Sequence, residues 1–261
     1  MLSSVQEGIE KPSYGYQKVK GFAKYVRTQI PGLKCLWIDT CCINQQSSSE
    51  LSEAINSMFR WYQDAEVCLA YIEDVPAAAD VTATFDNSTS FSRGWTLQEL
   101  LAPAIVVFLN QNWEVIGHKG RGSCGRSGIS MQAGVPLEGR IAKITGIPES
   151  ILQDYEESNT LSIEEKLKWM ENRETTREED LSYCLLGILG ASMNIRYGDG
   201  RVKMRERLLE KAYSSSRDRT LDGNNHGPQL GRKSALVSLA PGGSSLRDHA
   251  RSLEMITIAP Y

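Results

Sequence analysis

Three short apolar runs, Cys35 to Ile38, Val67 to Ile72 and Ile105 to Leu109, contain no internal charge. Runs of this length without polar alternation are strands covered on both faces, as in a parallel sheet flanked by helices. What separates them has helical spacing. Val19, Phe22, Ala23, Val26 and Ile30 line one face of a helix that Pro31-Gly32 stops. Leu51, Ala54, Ile55, Met58, Phe59 and Tyr62 line another, introduced by Ser47 and Glu50 at capping-box spacing after a polar loop from Thr40 to Ser49. A loop from Glu73 to about Gly94 and a short helix at Thr96 to Ala102, stopped by Pro103, precede the third run. The alternation predicts an α/β fold with a parallel sheet. In such sheets the ligand crevice lies beyond the carboxyl ends of the strands. Asp39, Glu73 and Asp74 fall at such ends.

The second half changes character. Arg140 to Thr145 and Pro148 to Leu152 read as short helices. Ser162 and Glu165, then Thr176 and Glu179, repeat the capping-box spacing. Leu181, Cys184, Leu185, Ile188 and Leu189 form an apolar stripe, and Val202 to Tyr213 a charged helix. These predict a helical extension over 138–213, after an α/β domain over 1–116 and a Gly/Ser/Arg-rich loop over 117–137. Gly120 to Gly125 matches G-x-G-x-x-G, but no helical periodicity follows, so it reads as loop. The 48 residues 214–261 hold 8 Ser, 5 Gly and 3 Pro and read as a mostly disordered tail.

Composition removes several function classes. Lys plus Arg is 29 and Asp plus Glu 32, a net charge of −3, so no overall field draws the chain to nucleic acid or an anionic membrane. The 6 cysteines form no C-x-x-C pair, and with 3 histidines no zinc spacing exists; they read as reduced thiols. Met1 to Lys11 has no apolar core and is not a signal peptide. Leu181 to Met193 is too short to span a bilayer. There is no Walker A motif. A soluble, cytoplasmic protein with neither nucleic-acid nor membrane partner is expected.

Three segments together resemble the fungal heterokaryon incompatibility (HET) domain: Leu36-Trp37-Ile38-Asp39-Thr40-Cys41-Cys42-Ile43-Asn44, Leu51 to Met58, and Arg93-Gly94-Trp95-Thr96-Leu97-Gln98-Glu99-Leu100-Leu101-Ala102-Pro103. Asn172 to Asp180 and Tyr183 to Gly187 resemble the segment that follows in the family. The likeness runs from about Gln6 to Leu209. It implies a TIR-like sheet and a role in nonself recognition and programmed cell death, through contacts with other proteins of the incompatibility pathway. TIR-type signalling further implies assembly into homo-oligomers. Trp95, Glu99 and Leu100 share the spacing of the TIR pattern Ser-x-Trp-Cys-x-x-Glu-Leu, with Thr96 in place of the Cys and Ser92 one residue too far upstream. In NAD-cleaving TIR domains that Glu is catalytic, so the resemblance offers NAD as a substrate and NAD glycohydrolase activity as an alternative. The family's leading strand is missing upstream of Met1. That strand is central in a TIR-like sheet, and its loss would leave two unpaired edges inside the sheet. The expectation is a truncated gene model, or an inactive copy that forms no closed ligand site.

The candidate site residues have competing readings. Glu99 would stabilise the positive charge that builds on ribose as the nicotinamide bond breaks, or reach back from a capping box to the Thr96 amide. Asp39 would position a ribose hydroxyl or a partner loop, or cap the turn at Thr40. With it, Thr40, Cys41, Cys42, Asn44 and Trp95 make up the candidate ligand or partner loop. Cys41 and Cys42 have no base at hand and read as packing, as do Trp37, Trp61 and Trp95. Arg173, Arg177, Glu178, Glu179 and Asp180 read as a solvated helix start or as a contact between the extension and the sheet's ligand edge.

Overall fold

A computed structural model describes residues 14–33, 35–77, 81–120, 133–222, 237–238 and 255–260. Helix α1 (Tyr14–Gln29) leads into β1 (Cys35–Ile38), a single turn α2 (Asp39–Cys42), α3 (Ser48–Asp64) and β2 (Val67–Tyr71). Then come α4 (Val81–Asp86), α5 (Thr96–Leu101), β3 (Ile105–Leu109), β4 (Val115–Gly120) and β5 (Val135–Pro136). The rest comprises α6 (Glu138–Thr145), α7 (Glu149–Gln153), α8 (Ile163–Lys168), α9 (Asp180–Tyr183), α10 (Leu186–Leu189), α11 (Arg201–Asp222), β6 (Val237–Ser238) and β7 (Met255–Pro260). All three predicted strands form, and β2 and β3 are buried along their whole length. The predicted faces of α1 and α3 are those turned inward: Phe22, Val26 and Ile30 on one, Ala54, Ile55, Met58, Phe59 and Tyr62 on the other.

The sheet runs β5-β4-β3-β2-β7-β1-β6. Its centre, β1-β7-β2-β3, is parallel throughout. The two inner edges expected for want of a leading strand are therefore not exposed. β7 lies between them, with Leu36 opposite Ile256 on one side and Leu69 opposite Ile258 on the other. A parallel strand needs a crossover connection rather than a hairpin, so a segment from far along the chain can enter such a position. Within the expected tail, α11 continues to Asp222 and β6 and β7 join the sheet; the rest of 214–261 lies outside the described residues.

Other boundaries move for local reasons. The boundary at 116 falls inside β4, which pairs antiparallel with β3 through a turn where Trp113 has φ 66°. Its sequence, Val-Ile-Gly-His-Lys-Gly, hides the strand because Lys119 is buried and donates to the Pro103 carbonyl at 2.7 Å. The G-x-G-x-x-G match begins at the last residue of β4, and Arg121 onward lies outside the described residues. The loop from Thr40 opens as α2, and that from Glu73 to Gly94 holds α4 and a 3-10 turn at Thr89–Ser92.

The extension packs on the outer side of α3 and α5. Trp37, Phe59 and Tyr62 share one core with Ile151, Leu152, Tyr183, Leu186 and Ile188. Gly187 allows α10 to approach α3, since a Cβ there would sit 2.0 Å from the Phe59 Cβ. Gly187→Ala is expected to cost on the order of 1–3 kcal/mol of overpacking. A urea melt checks this; an unchanged midpoint would mean that the helices separate freely. Among the described residues no helix is long and apolar enough to cross a membrane.

Candidate functional site

β1 delivers Asp39 to the carboxyl end of the sheet, and α5 delivers Glu99 to the same place. Glu99 is 3% exposed. Burial raises its pKa to about 8, with the negative charge of Asp39 adding to the rise. Arg93, the Tyr62 hydroxyl and Arg173 pull the other way. Its Oε2 is buried without a hydrogen-bond partner. Asp39 is half-buried, and burial raises its carboxyl to about 6 against the opposing pull of the Thr40 amide, Arg93 and Lys18. Lys18 reaches in from α1 with its Nζ 5.2 Å from the centre of the Tyr71 ring. Burial lowers its pKa, and Glu73, Asp39 and Glu99 offset part of that drop.

The two carboxyls are thus split at neutral pH: Glu99 keeps its proton and Asp39 has lost it. Two titratable groups pushed apart by their surroundings can serve as proton donor and charged acceptor. Glu99 is covered, while Asp39 stays partly exposed. A cavity of about 600 Å³ lies elsewhere, between α1 and the β3–β4 turn, lined by Tyr25, Thr28 and Trp113 among others and by neither carboxyl.

The capping box expected at Thr96 and Glu99 does not form. Trp95 occupies the cap position with helical backbone and no side-chain cap bond. The Thr96 hydroxyl instead turns back to the carbonyls of Ser90 and Arg93, at 2.8 and 2.7 Å, which leaves Glu99 free of a capping role. Asp39 does accept from the Thr40 amide, at 2.5 Å. Cys42 packs under β1, its Sγ 3.4 Å from the Ile38 amide nitrogen, while Cys41 is exposed beside Thr40. Asn44 shapes the turn into α3. Its Oδ1 accepts from the Gln46 amide at 3.1 Å, and its own amide donates to Glu50 at 3.3 Å. Glu50 therefore does not close the reciprocal box with Ser47, although its own amide donates to the Ser47 hydroxyl at 3.3 Å.

Trp95 is half-buried, its Nε1 donating to Asp180 at 3.3 Å. Tyr197 donates to the other oxygen of Asp180 at 3.0 Å, and Arg177 stacks 4.1 Å from the Tyr197 ring centre. The mixed-charge stretch is accordingly no solvated helix start: Arg173, Glu179 and Asp180 are buried. Glu179 accepts from the amides of Gly198 and Gly200 at 2.7 and 3.3 Å rather than capping with Thr176. Arg173 donates to the Trp169 carbonyl at 3.0 Å, the Arg93 carbonyl at 2.9 Å and the Thr96 hydroxyl at 2.8 Å. A parallel bridge between Arg93 and Glu174 joins the same two segments. The extension thereby fixes the segment that carries Arg93 and Glu99.

Residues 16–83 match the family model described as Heterokaryon incompatibility protein (HET). Over 214 residues the chain is 38% identical to Vegetative incompatibility protein HET-E-1 of Podospora anserina. The HET-domain similarity thus rests on residues 16–83 and on this relative. That alignment covers 79% of this chain but 14% of the relative, so this chain spans a small part of that protein's length. No solved structure matches the chain. The HET match contains Lys18, Asp39 and Tyr62, while Arg93, Glu99 and Arg173 lie beyond it. Sequence reasoning passed over Lys18 and Tyr62 as site residues. Lys18 lies off the apolar stripe of α1, and Tyr62 completes the stripe of α3. Arg93 could have been found, since it opens the segment that holds Trp95 and Glu99.

Proposed function

We propose that this chain is a signalling module of vegetative incompatibility, acting in nonself recognition and programmed cell death through contacts with other proteins. The observation behind this reading is a contrast at one sheet end: Glu99 is buried with its pKa raised to about 8, while the turn from Thr40 to Gln46 faces solvent. Signalling through contacts needs an exposed loop on a rigid support, and this turn at the sheet end supplies one. The order β1-β7-β2-β3 agrees with a TIR-like sheet, in which β7 takes the place of the leading strand.

One observation favours a second reading, NAD cleavage centred on Glu99. A buried carboxyl oxygen without a partner, beside a second carboxyl and an arginine, marks a place where a polar ligand would complete the hydrogen bonding. In that reading Asp39 carries the negative charge at neutral pH. Glu99 ionises when the cationic nicotinamide end of the substrate draws its pKa down.

NAD turnover by purified protein, beside Glu99→Gln, separates the two. The contact reading expects no turnover in either folded protein and cell killing intact in the variant. Turnover in the parent that is lost in a folded Glu99→Gln would overturn it.

A further inference from the structure

The cavity of about 600 Å³ between α1 and the β3–β4 turn has a fixed aromatic wall. The turn closes on Asn110, whose Oδ1 accepts from the amides of Asn112 and Glu114 at 2.9 and 3.0 Å. This puts Trp113 at φ 66°, a left-handed position that glycine or asparagine fills without strain. The indole is held there by Tyr71, stacked at 4.4 Å between ring centres, and by Phe22, edge-on at 4.7 Å. α1 makes room for it with Gly21, where a Cβ would sit 2.1 Å from the indole. Trp113 is thus a bulky ring kept in a strained turn, locked by packing on one side and still half-exposed. Strain of that kind concentrates where a side chain must be presented to a ligand.

From this geometry we propose that the cavity is a binding site for a nucleoside monophosphate. Neither Asp39 nor Glu99 lines it, so it is independent of both readings of the carboxyl pair. Gly21, Lys24, Tyr25 and Thr28 are three or four residues apart and share the face of α1 that lines the cavity. Tyr25 and Trp113 supply rings on which a base stacks. Gln29 from α1 and Asn112 from the turn bring carboxamides, which pair donor and acceptor with the N6/N7 edge of adenine. Lys24 is in no ion pair among the described residues, and its ammonium binds the phosphate as a point charge. Glu114 commits Oε2 to the Asn110 amide at 2.9 Å, which leaves Oε1 to accept from ribose hydroxyls. The volume falls within the range of about 300–1,000 Å³ usual for small-molecule sites. An aromatic amino acid would use the two charges but neither carboxamide, and would leave much of that volume empty.

Calorimetric titration of the full chain with adenosine monophosphate (AMP), adenosine and L-tryptophan tests this. AMP is expected to bind with a Kd on the order of 10–100 μM. Lys24→Ala alters an exposed side chain and should weaken AMP about tenfold while leaving adenosine within about twofold of the parent. Tyr25→Leu keeps the apolar bulk and removes the ring, and should weaken both ligands about tenfold. If Tyr25→Leu does not fold, Glu114→Gln, exposed on the turn, takes its place and should weaken both about fivefold. A folded parent that binds no AMP up to about 5 mM overturns the site. AMP binding that the variants leave unchanged overturns its placement. So does binding lost in Glu99→Gln but kept in Lys24→Ala, which moves the nucleotide to the carboxyl pair. L-tryptophan bound where AMP is not overturns the ligand class.

Discussion

Glu99→Gln is expected to make the protein more stable at neutral and alkaline pH, and to flatten its loss of stability as pH rises. The reason is linkage. In the unfolded chain Glu99 titrates near 4.5; in the folded chain burial and the Asp39 charge raise it to about 8. Below pH 4.5 both states hold the proton and Glu99 costs nothing. Between 4.5 and about 8 the unfolded chain gives the proton up while the folded protein keeps it, so stability falls with each unit of pH. Above 8 the loss is complete. At about 1.4 kcal/mol per unit, the penalty at pH 7 is on the order of 3 kcal/mol. Asp39, raised to about 6 from 3.8, acts with the same sign in a lower window. Glutamine keeps the shape and removes the ionisation. Urea melts at pH 5, 7 and 9 should show the parent weakening and the variant nearly level across the upper two values. Parallel curves for the two proteins would mean that Glu99 is solvated and ionised in the fold.

That the pair exists at all was only half legible in the sequence. Asp39 announces itself, because it ends an uncharged apolar run and so falls where a parallel strand exits the sheet. Glu99 follows from the resemblance of its segment to a TIR pattern. Their proximity depends on β1 and α5 meeting across the sheet end, which no local spacing encodes. The cap assigned to Thr96 fails for a similar reason. A serine or threonine three residues before a glutamate is a capping box only if the threonine backbone is non-helical, and here the helix starts one residue earlier with a hydroxyl already claimed by two carbonyls. Ser162 and Glu165 have the same spacing and do form the box, because Ser162 has extended backbone and its hydroxyl is placed to accept from the Glu165 amide.

The centre of the sheet was the least legible part. Met-Ile-Thr-Ile-Ala-Pro is six residues long, set after Gly- and Ser-rich chain, and its β-branched content is too brief to stand out by periodicity. What makes it a strand is the pair of edges waiting on β1 and β2, a tertiary demand that outweighs local composition. β4 was masked differently. A lysine inside a strand reads as an edge or a loop, unless a buried carbonyl such as that of Pro103 receives it.

The same interplay makes Arg173 the most consequential single side chain of the extension. Arg173→Met is expected to destabilise the protein by about 3–5 kcal/mol, because it removes a buried guanidinium from three acceptors, taking the side-chain donor from the Trp169 carbonyl and leaving the Arg93 carbonyl with the Thr96 hydroxyl alone. The methionine stem refills the space of the aliphatic part, so the loss reports the hydrogen bonds rather than a cavity. Arg173→Lys is expected to recover little, since one ammonium cannot reach both the Trp169 turn and the Arg93–Thr96 turn in the fixed fork that a guanidinium provides. The two substitutions should differ electrostatically, however. Arg173 holds the Glu99 carboxyl down against burial, so methionine lifts it further and steepens the alkaline loss of stability, whereas lysine preserves the restraint. Melts of both variants at pH 7 and 9 test the two halves of this separately. A methionine variant within about 1 kcal/mol of the parent would show that the Arg93–Glu174 bridge and the apolar contacts of α10 suffice to dock the extension. A full loss with an unchanged pH slope would place Arg173 in the docking of α5 but outside the electrostatics of Glu99.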